Sequence, residues 1–319
     1  LLYQGAGVGL AMATAALAAV AVPPAVYGEY GLLLSIVQVA SGVALSWVNQ
    51  GLLRIGREEF GRRGTSADTL AAAMALLAML VIALLAAAVA LGPLLARATG
   101  LPLAHLAVIA PCLLAFVLFE TMSYAAQANG RLEGFTGGQV LARCGPFAGV
   151  ALMLYGWGSD AVFLIACAGI GWVVAAAFAG AAALANGVKP TPAWRSQMSR
   201  IVAYGRLLPI ASAAGMLSAW MGLWFVRGHA GLAEAGVLLW SMGVFSLLTG
   251  VLQPFSAILA PRMIDLKLAD DKATLQRGID VMLAAALLLA ALMPLALSGL
   301  RMFFAAAVPG NYASATPLL

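Results

Sequence analysis

The chain has 319 residues, of which 63% are apolar and 9% charged, against about 45–50% and about 25% in ordinary soluble domains, so it has too few charges to clothe a water-facing surface. Its net charge of +5 comes from Lys and Arg confined to short connections, with no basic stripe interleaved with aromatics; this excludes nucleic acid as a partner and points to membrane orientation. Period-2 alternation is absent, which excludes a β-barrel, and three scattered cysteines (Cys112, Cys144, Cys167) with two distant histidines (His105, His229) give neither a disulfide framework nor a metal site.

Taken in chain order, apolar runs between polar breaks predict membrane segments at 1–22, 31–53, 68–96, 102–127, 134–156, 160–185, 202–226, 235–259 and 279–300, with a tenth from 303 to the last residue. Each of the first nine is long enough to cross roughly 30 Å of hydrocarbon as a helix. The chain begins at Leu1 without a basic leader and stops at Leu319 within an apolar stretch, so it reads as trimmed at both ends and without a cleavable signal peptide.

Arg54, Arg57, Arg62 and Arg63 follow the second segment, Arg131 the fourth, Lys189, Arg195 and Arg200 the sixth, and Arg262, Lys267, Lys272 and Arg277 the eighth. Only Arg97, Arg227 and Arg301 follow odd-numbered segments, and Arg143 and Arg206 lie within segments. Cytoplasmic loops are the ones enriched in Lys and Arg, so the N-terminus is expected in the cytoplasm. Trp157, Trp220 and Trp224 fall near expected outer ends, where amphipathic rings settle at the headgroup level.

The stretch Ala25 to Leu34 lines up with Ala230 to Leu239, and the same offset puts Glu29 on Glu234, Gly31 on Gly236 and Arg57 on Arg262. Six segments separate equivalent points, an even number, so the halves enter the membrane in the same sense, as parallel repeats. The expected fold is an all-α polytopic transmembrane bundle of two parallel six-helix repeats: an N-terminal lobe over 1–186, a cytoplasmic linker over 187–200 and a C-terminal lobe over 201–319. Doubling the offset gives a whole of roughly 410 residues, leaving the last two to three helices of the second repeat absent or incomplete.

Several stretches carry a resemblance. They are Tyr27-Gly28-Glu29-Tyr30-Gly31 leading into the second segment, Gln50-Gly51-Leu52-Leu53-Arg54 at its end, Tyr204-Gly205-Arg206-Leu207-Leu208-Pro209, Ala233-Glu234-Ala235-Gly236, Gln253-Pro254 and Pro261-Arg262. With these, and in segment order and spacing over essentially the whole chain, the sequence resembles the polysaccharide-transporter branch, including O-antigen flippases, of the multidrug/oligosaccharidyl-lipid/polysaccharide flippase superfamily. That resemblance implies a MATE-like fold and, as function, a transporter flipping a lipid-linked oligosaccharide or polysaccharide precursor across the bacterial inner membrane by alternating access. It implies a polyprenyl-pyrophosphate-linked glycan as substrate, the bilayer as surroundings, a coupling ion, and no cofactor. Many relatives carry a charged residue where this sequence has Ser218-Ala219-Trp220-Met221-Gly222, so no role can be transferred to that position.

An ionisable group inside the bilayer is by default a site hypothesis, because placing it there costs about 2.5–3.5 kcal/mol or more. Glu120 lies nine residues before Asn129, and Arg143 ten after Glu133, which puts both roughly 14 Å from the cytoplasmic side if each lies in a regular helix. Facing each other or a shared aqueous cavity, they would form either a structural ion pair or a site in which Arg143 binds a pyrophosphate and Glu120 orients it or exchanges a proton. Arg206, six residues beyond Arg200, is expected about 9 Å deep, either snorkelling to the headgroups or touching substrate. Arg54 and Arg57, beside Glu58 and Glu59, form a solvated orienting cluster or a cytoplasmic gate. Pro111, Pro146, Pro209, Pro254 and Pro294 fall inside expected helices and predict kinks. Asn49, Gln50, Gly137, Gly138 and Gln139 either line a cavity or bond a neighbouring helix.

A membrane-embedded enzyme of glycan assembly is the rival from another class; it needs a sizeable extramembrane loop or a clustered acid/base or metal constellation, and the sequence offers neither. There is also no phosphate-binding Gly-x-x-x-x-Gly-Lys motif for ATP hydrolysis. A cation-coupled multidrug exporter of the same superfamily is the alternative within transporters; two intramembrane arginines and one glutamate lean toward an anionic cargo. A channel or membrane scaffold is disfavoured by the duplication.

Overall fold

Runs of Ala, Leu and Val favour helix and let every backbone donor find its acceptor within the same segment, as hydrocarbon requires. The computed structural model, which describes residues 2–185, 187, 189–250, 261–267, 269 and 271–307, is all-helical, with no strand among the described residues. The helices are α1 (Leu2–Ala21), α2 (Pro24–Ala44), α3 (Ser46–Arg63), α4 (Ala67–Thr99), α5 (Leu103–Ala107), α6 (Ile109–Ala128), α7 (Leu132–Leu154), α8 (Ala161–Leu184), α9 (Trp194–Gly205), α10 (Leu208–Ala230), α11 (Leu232–Gly250) and α12 (Lys272–Ala307). Residues 261–267 add a short helical stretch.

Six helical stretches among the described residues are long and apolar enough to cross a membrane: Pro24–Ala44, Ala67–Leu94, Leu103–Ala128, Ala161–Leu184, Leu208–Ala230 and Lys272–Leu292. Gly5–Ala21 and Leu232–Val244 are shorter apolar helices. α7 is long enough at 23 residues, but its five glycines, Gln139 and Arg143 make it less apolar. Large apolar side chains lie bare on the outside, among them Val89 at 82% and Ile210 at 71% exposed, a surface suited to hydrocarbon and not to water.

The helix boundaries follow local chemistry. Gly64 (φ 70°) and Gly100 (φ 64°) end α3 and α4 in the left-handed conformation, their amides donating to Phe60 O and Ala96 O. The expected second segment starts earlier than 31 and is two helices: Pro24 opens α2 where its missing N–H is not needed, and the chain breaks at Leu45 (φ −121°, ψ −25°). Pro209, expected to kink a helix, stands at the start of α10, and Pro111 in the first turn of α6; Pro146, Pro294 and also Pro93 lie inside helices. Pro254 is outside the described residues. The expected break between the ninth and tenth segments is absent, because α12 runs through Arg301 to Ala307; the rest of the tenth segment is outside the described residues.

Helices α6, α7 and α8 pack on one another and α1 packs on α7. Glycines make the α7–α8 approach possible: a Cβ on Gly145 would sit 2.4 Å from Cys167 O and 3.0 Å from Gly171 Cα. The broken rod of α2 and α3 is the central element. α2 touches α6, α8, α10 and α11, and α3 touches α4, α6 and α9. At its start, Gly28 meets α11 backbone to backbone: a Cβ there would fall 2.1 Å from Leu232 O, and one on Gly236 would overlap Pro24 O. Trp240, 1% exposed, fixes α11 to α1 by donating from Nε1 to Ala15 O at 2.8 Å.

The charge-rich connections gather at one end. Asn129 accepts from Ser66 N (3.1 Å) and donates to Ala183 O (2.9 Å), Thr191 Oγ1 donates to Asp68 (2.8 Å), Arg200 pairs with Glu58, and Arg57 with Asp265. The opposite end holds Glu29 paired with His105, and Arg227 lying over Gly100. Among the tryptophans assigned to outer interfaces, Trp157 is exposed, whereas Trp220 is buried and Trp224 donates to Ser35 Oγ at 3.1 Å; those two pack the bundle.

Candidate functional site

Glu120, half-buried on α6, is met by α2: Ser41 Oγ donates to its Oε2 at 3.2 Å. One residue on, Thr121 Oγ1 lies 3.1 Å from Asn49 Oδ1 and 2.8 Å from Val117 O. Asn49 Nδ2 is buried with no partner in this amide orientation. Turning the amide over lets Nδ2 donate to Thr121 Oγ1 while Thr121 donates to Val117 O, so the hydroxyl needs only its one proton. This small polar layer straddles the break at Leu45, where Ser46 Oγ reaches Gly42 O (2.5 Å) and Ser212 Oγ on α10 (3.0 Å).

The ion-pair form of the expected facing of Glu120 and Arg143 is corrected. No ion pair joins them, because α6 turns Glu120 toward α2 while α7 turns Arg143 toward α1, where a Cβ on Gly7 would lie 3.3 Å from Arg143 Nη1. Counting residues along a hairpin gives depth but not direction around the helix axis. Arg206 is corrected as well: α9 ends at Gly205 and α10 begins at Leu208, so it is an exposed residue at a helix junction and not six residues into a span. Gly137 and Gly138 do not line a cavity but let α8 approach, against Phe178 and Ala179. A small cavity, of about 20 Å³ and thus of a size for one water, is lined by Thr14, Tyr27, Tyr30, Pro146, Val150 and Leu164.

Arg54 and Arg57 lie at the charge-rich end. Arg54 is 3.8 Å from Glu58 and stacks over the Tyr204 ring at 5.0 Å. Arg57 Nε and Nη2 donate to the two oxygens of Asp265 at 2.9 and 2.8 Å, and Nη1 donates to Ala128 O at 3.3 Å. The hydrogen bonds it donates to Asp265 push the Arg57 guanidinium pKa above its ordinary value, against burial, so it stays charged at any physiological pH. Below it, Glu59 is buried and accepts from Asp68 N (3.1 Å), Thr69 N (2.9 Å) and Thr69 Oγ1 (2.6 Å), capping α4.

Sequence reasoning missed three of these partners. Asp265 lies three residues past Arg262 in a charged stretch, yet nothing in the spacing aims it at Arg57. His105 and Ser41 are set by tertiary packing alone, which one sequence does not encode at short range. Among the described residues no group of three or more His, Cys, Asp or Glu side chains converges. No family model matches the chain, and no curated protein or solved structure does either.

Proposed function

We propose that this chain is a membrane transporter of two similar halves, with its N-terminus in the cytoplasm, that flips a polyprenyl-pyrophosphate-linked oligosaccharide across the bacterial inner membrane by alternating access. The observation that carries the reading is how α2 and α3 meet the later helices. At one end the junction is a bare backbone contact, Gly28 against Leu232 and Gly236; at the other it is held by ion pairs, Arg57 with Asp265 and Glu58 with Arg200. Two junctions of different chemistry at opposite ends of one broken rod are what an alternating mechanism needs, since each can part while the other holds. Arg143, on α7 where it faces α1, supplies a guanidinium suited to a pyrophosphate.

Proteoliposomes carrying a fluorescent lipid-linked oligosaccharide test the reading: the lipid is expected to cross between leaflets faster than in protein-free vesicles, and equal rates overturn it. Arg143→Ala is expected to slow crossing tenfold or more, the scale of a lost charged hydrogen bond of about 1.5–3 kcal/mol. Unchanged crossing removes Arg143 from the substrate path. A cation-coupled drug exporter is the second reading, favoured by Glu120, a carboxylate on α6 that accepts from the Ser41 hydroxyl; it predicts efflux of a lipophilic cation dye from the same vesicles.

A further inference from the structure

The geometry points to Arg57 as a receptor for a diphosphate group at the charge-rich end, with the Asp265 carboxylate occupying its place until the ligand displaces it and unties α3 from the 261–267 segment. This rests on the transport reading for its direction but not for its chemistry.

A guanidinium has two edges that can form parallel hydrogen-bond pairs, and here they do different jobs. Nη1 is held by Ala128 O at the end of α6 and lies against the α6–α7 turn, where a Cβ on Gly130 would stand 3.2 Å away. The anchor fixes the plane of the group, which is further covered by the Phe60 ring at 5.3 Å. The Nε–Nη2 edge is thereby aimed outward as a fixed fork, and Asp265 fills it with both oxygens. A carboxylate in that fork is a one-charge stand-in for a phosphate oxygen pair, which the same edge fits with the same spacing.

The exchange is open to solvent and favoured by charge. Asp265 is 46% exposed and Arg57 19%, so the pair is partly hydrated and screened, and a competitor can approach without first unfolding anything. A diphosphate brings at least two negative charges where Asp265 brings one. Arg54 lies one helical turn before Arg57, and Arg262 and Lys267 flank Asp265 in the sequence. The carboxylate nearest Arg54, Glu58, is already shared with Arg200. The surroundings therefore oppose a second carboxylate less than they invite a doubly charged anion. Once displaced, Asp265 no longer ties its segment to α3, so arrival of the ligand itself frees the 261–267 segment, while Arg200 still holds Glu58.

The same chemistry is offered by a lipid headgroup and by a soluble diphosphate, and two arms of one experiment separate them. In the first, inorganic pyrophosphate is titrated into the full chain in lipid vesicles. Asp265→Asn, which removes the competitor from an exposed position, is expected to bind about tenfold more tightly than the unsubstituted chain, and Arg57→Gln to lose binding. In the second, vesicles containing polyprenyl diphosphate replace plain ones: suppressed pyrophosphate binding assigns the site to the lipid headgroup, and undiminished binding assigns it to a soluble diphosphate. Equal affinity of Asp265→Asn and the unsubstituted chain for pyrophosphate overturns the inference, and that comparison stands even if Arg57→Gln does not fold. Crossing of the fluorescent lipid in the same vesicles separates the two ideas. Crossing without tightening by Asp265→Asn refutes the receptor alone, and tightening without crossing refutes the transport reading alone.

Discussion

Glu59 shows what a buried carboxylate does when it is surrounded by donors instead of cargo. Its two oxygens take the first free amides of α4, from Asp68 and Thr69, together with the Thr69 hydroxyl. Removing it leaves those amides buried without acceptors, which costs about 1–3 kcal/mol. Glu59→Ala is therefore expected to lower the thermal unfolding midpoint in detergent, while Glu59→Gln, which keeps one acceptor oxygen, loses less; equal losses would mean the charge and not the cap matters. Neighbouring Glu58, 12% exposed, pairs with the more exposed Arg54 and Arg200, and Glu58→Ala is expected to cost less than Glu59→Ala. The sequence marks both as one acidic pair beside two arginines. It separates them only through the helical step of about 100° between consecutive residues, which turns one inward and the other to the rim. The same limit hid the directions of Glu120 and Arg143: their depth follows from the rise per residue, whereas their azimuth follows from packing that no single-chain periodicity reveals.

Among elements, α7 and α8 are joined by the absence of side chains. Gly145 and Gly171 bring the two backbones into contact, and Gly134 and Gly149 extend the same seam against Ala182 and Cys167. Within a bilayer, association of this kind depends on close packing, since lipid tails are as apolar as the helices. Gly145→Val is expected to push the helices apart and destabilise the bundle by about 1–3 kcal/mol, read as a lower midpoint in a denaturing-detergent titration. Gly61→Ala on α3, where nothing lies within 4 Å of the new Cβ, is expected to gain about 0.5–1 kcal/mol, since glycine only loosens the helix there. A midpoint for Gly145→Val equal to that of the unsubstituted chain would show that the seam is not formed. Element existence was legible wherever apolar runs were long, as for α4 and α8. Boundaries were not legible where polar residues stay helical: the Tyr27-Gly28-Glu29-Tyr30 stretch reads as a loop but lies within α2, because α11 covers its glycine face. Trp194 to Gly205 reads as linker and entry to a span, yet folds as a separate helix because Arg206 and Leu207 interrupt it before Pro209 starts the next.

At the scale of the molecule, two ends of opposite character are the consequence of where the arginines lie in the chain. Connections after even-numbered segments hold most of the basic residues, and the hydrogen bonds of Asn129, Thr191, Arg200 and Arg57 tie those connections together at one end. The other end has few charges, chiefly Glu29 with His105, and Arg227 over Gly100. Insertion retains basic loops on the cytoplasmic side, because moving Lys and Arg across the bilayer is opposed. A cysteine at Ser196, exposed at the start of α9, is therefore expected to react with a membrane-impermeant maleimide in inside-out vesicles and to be protected in intact spheroplasts. A cysteine at Ser159, exposed in the turn between α7 and α8, is expected to behave in the opposite way. Each serves as the control for the other, since a leaky vesicle labels both. Reversed protection would put the Arg57–Asp265 junction outside the cell, and the proposed flippase, which takes its lipid-linked cargo from the cytoplasmic leaflet at that end, would then have no supply of ligand to act on.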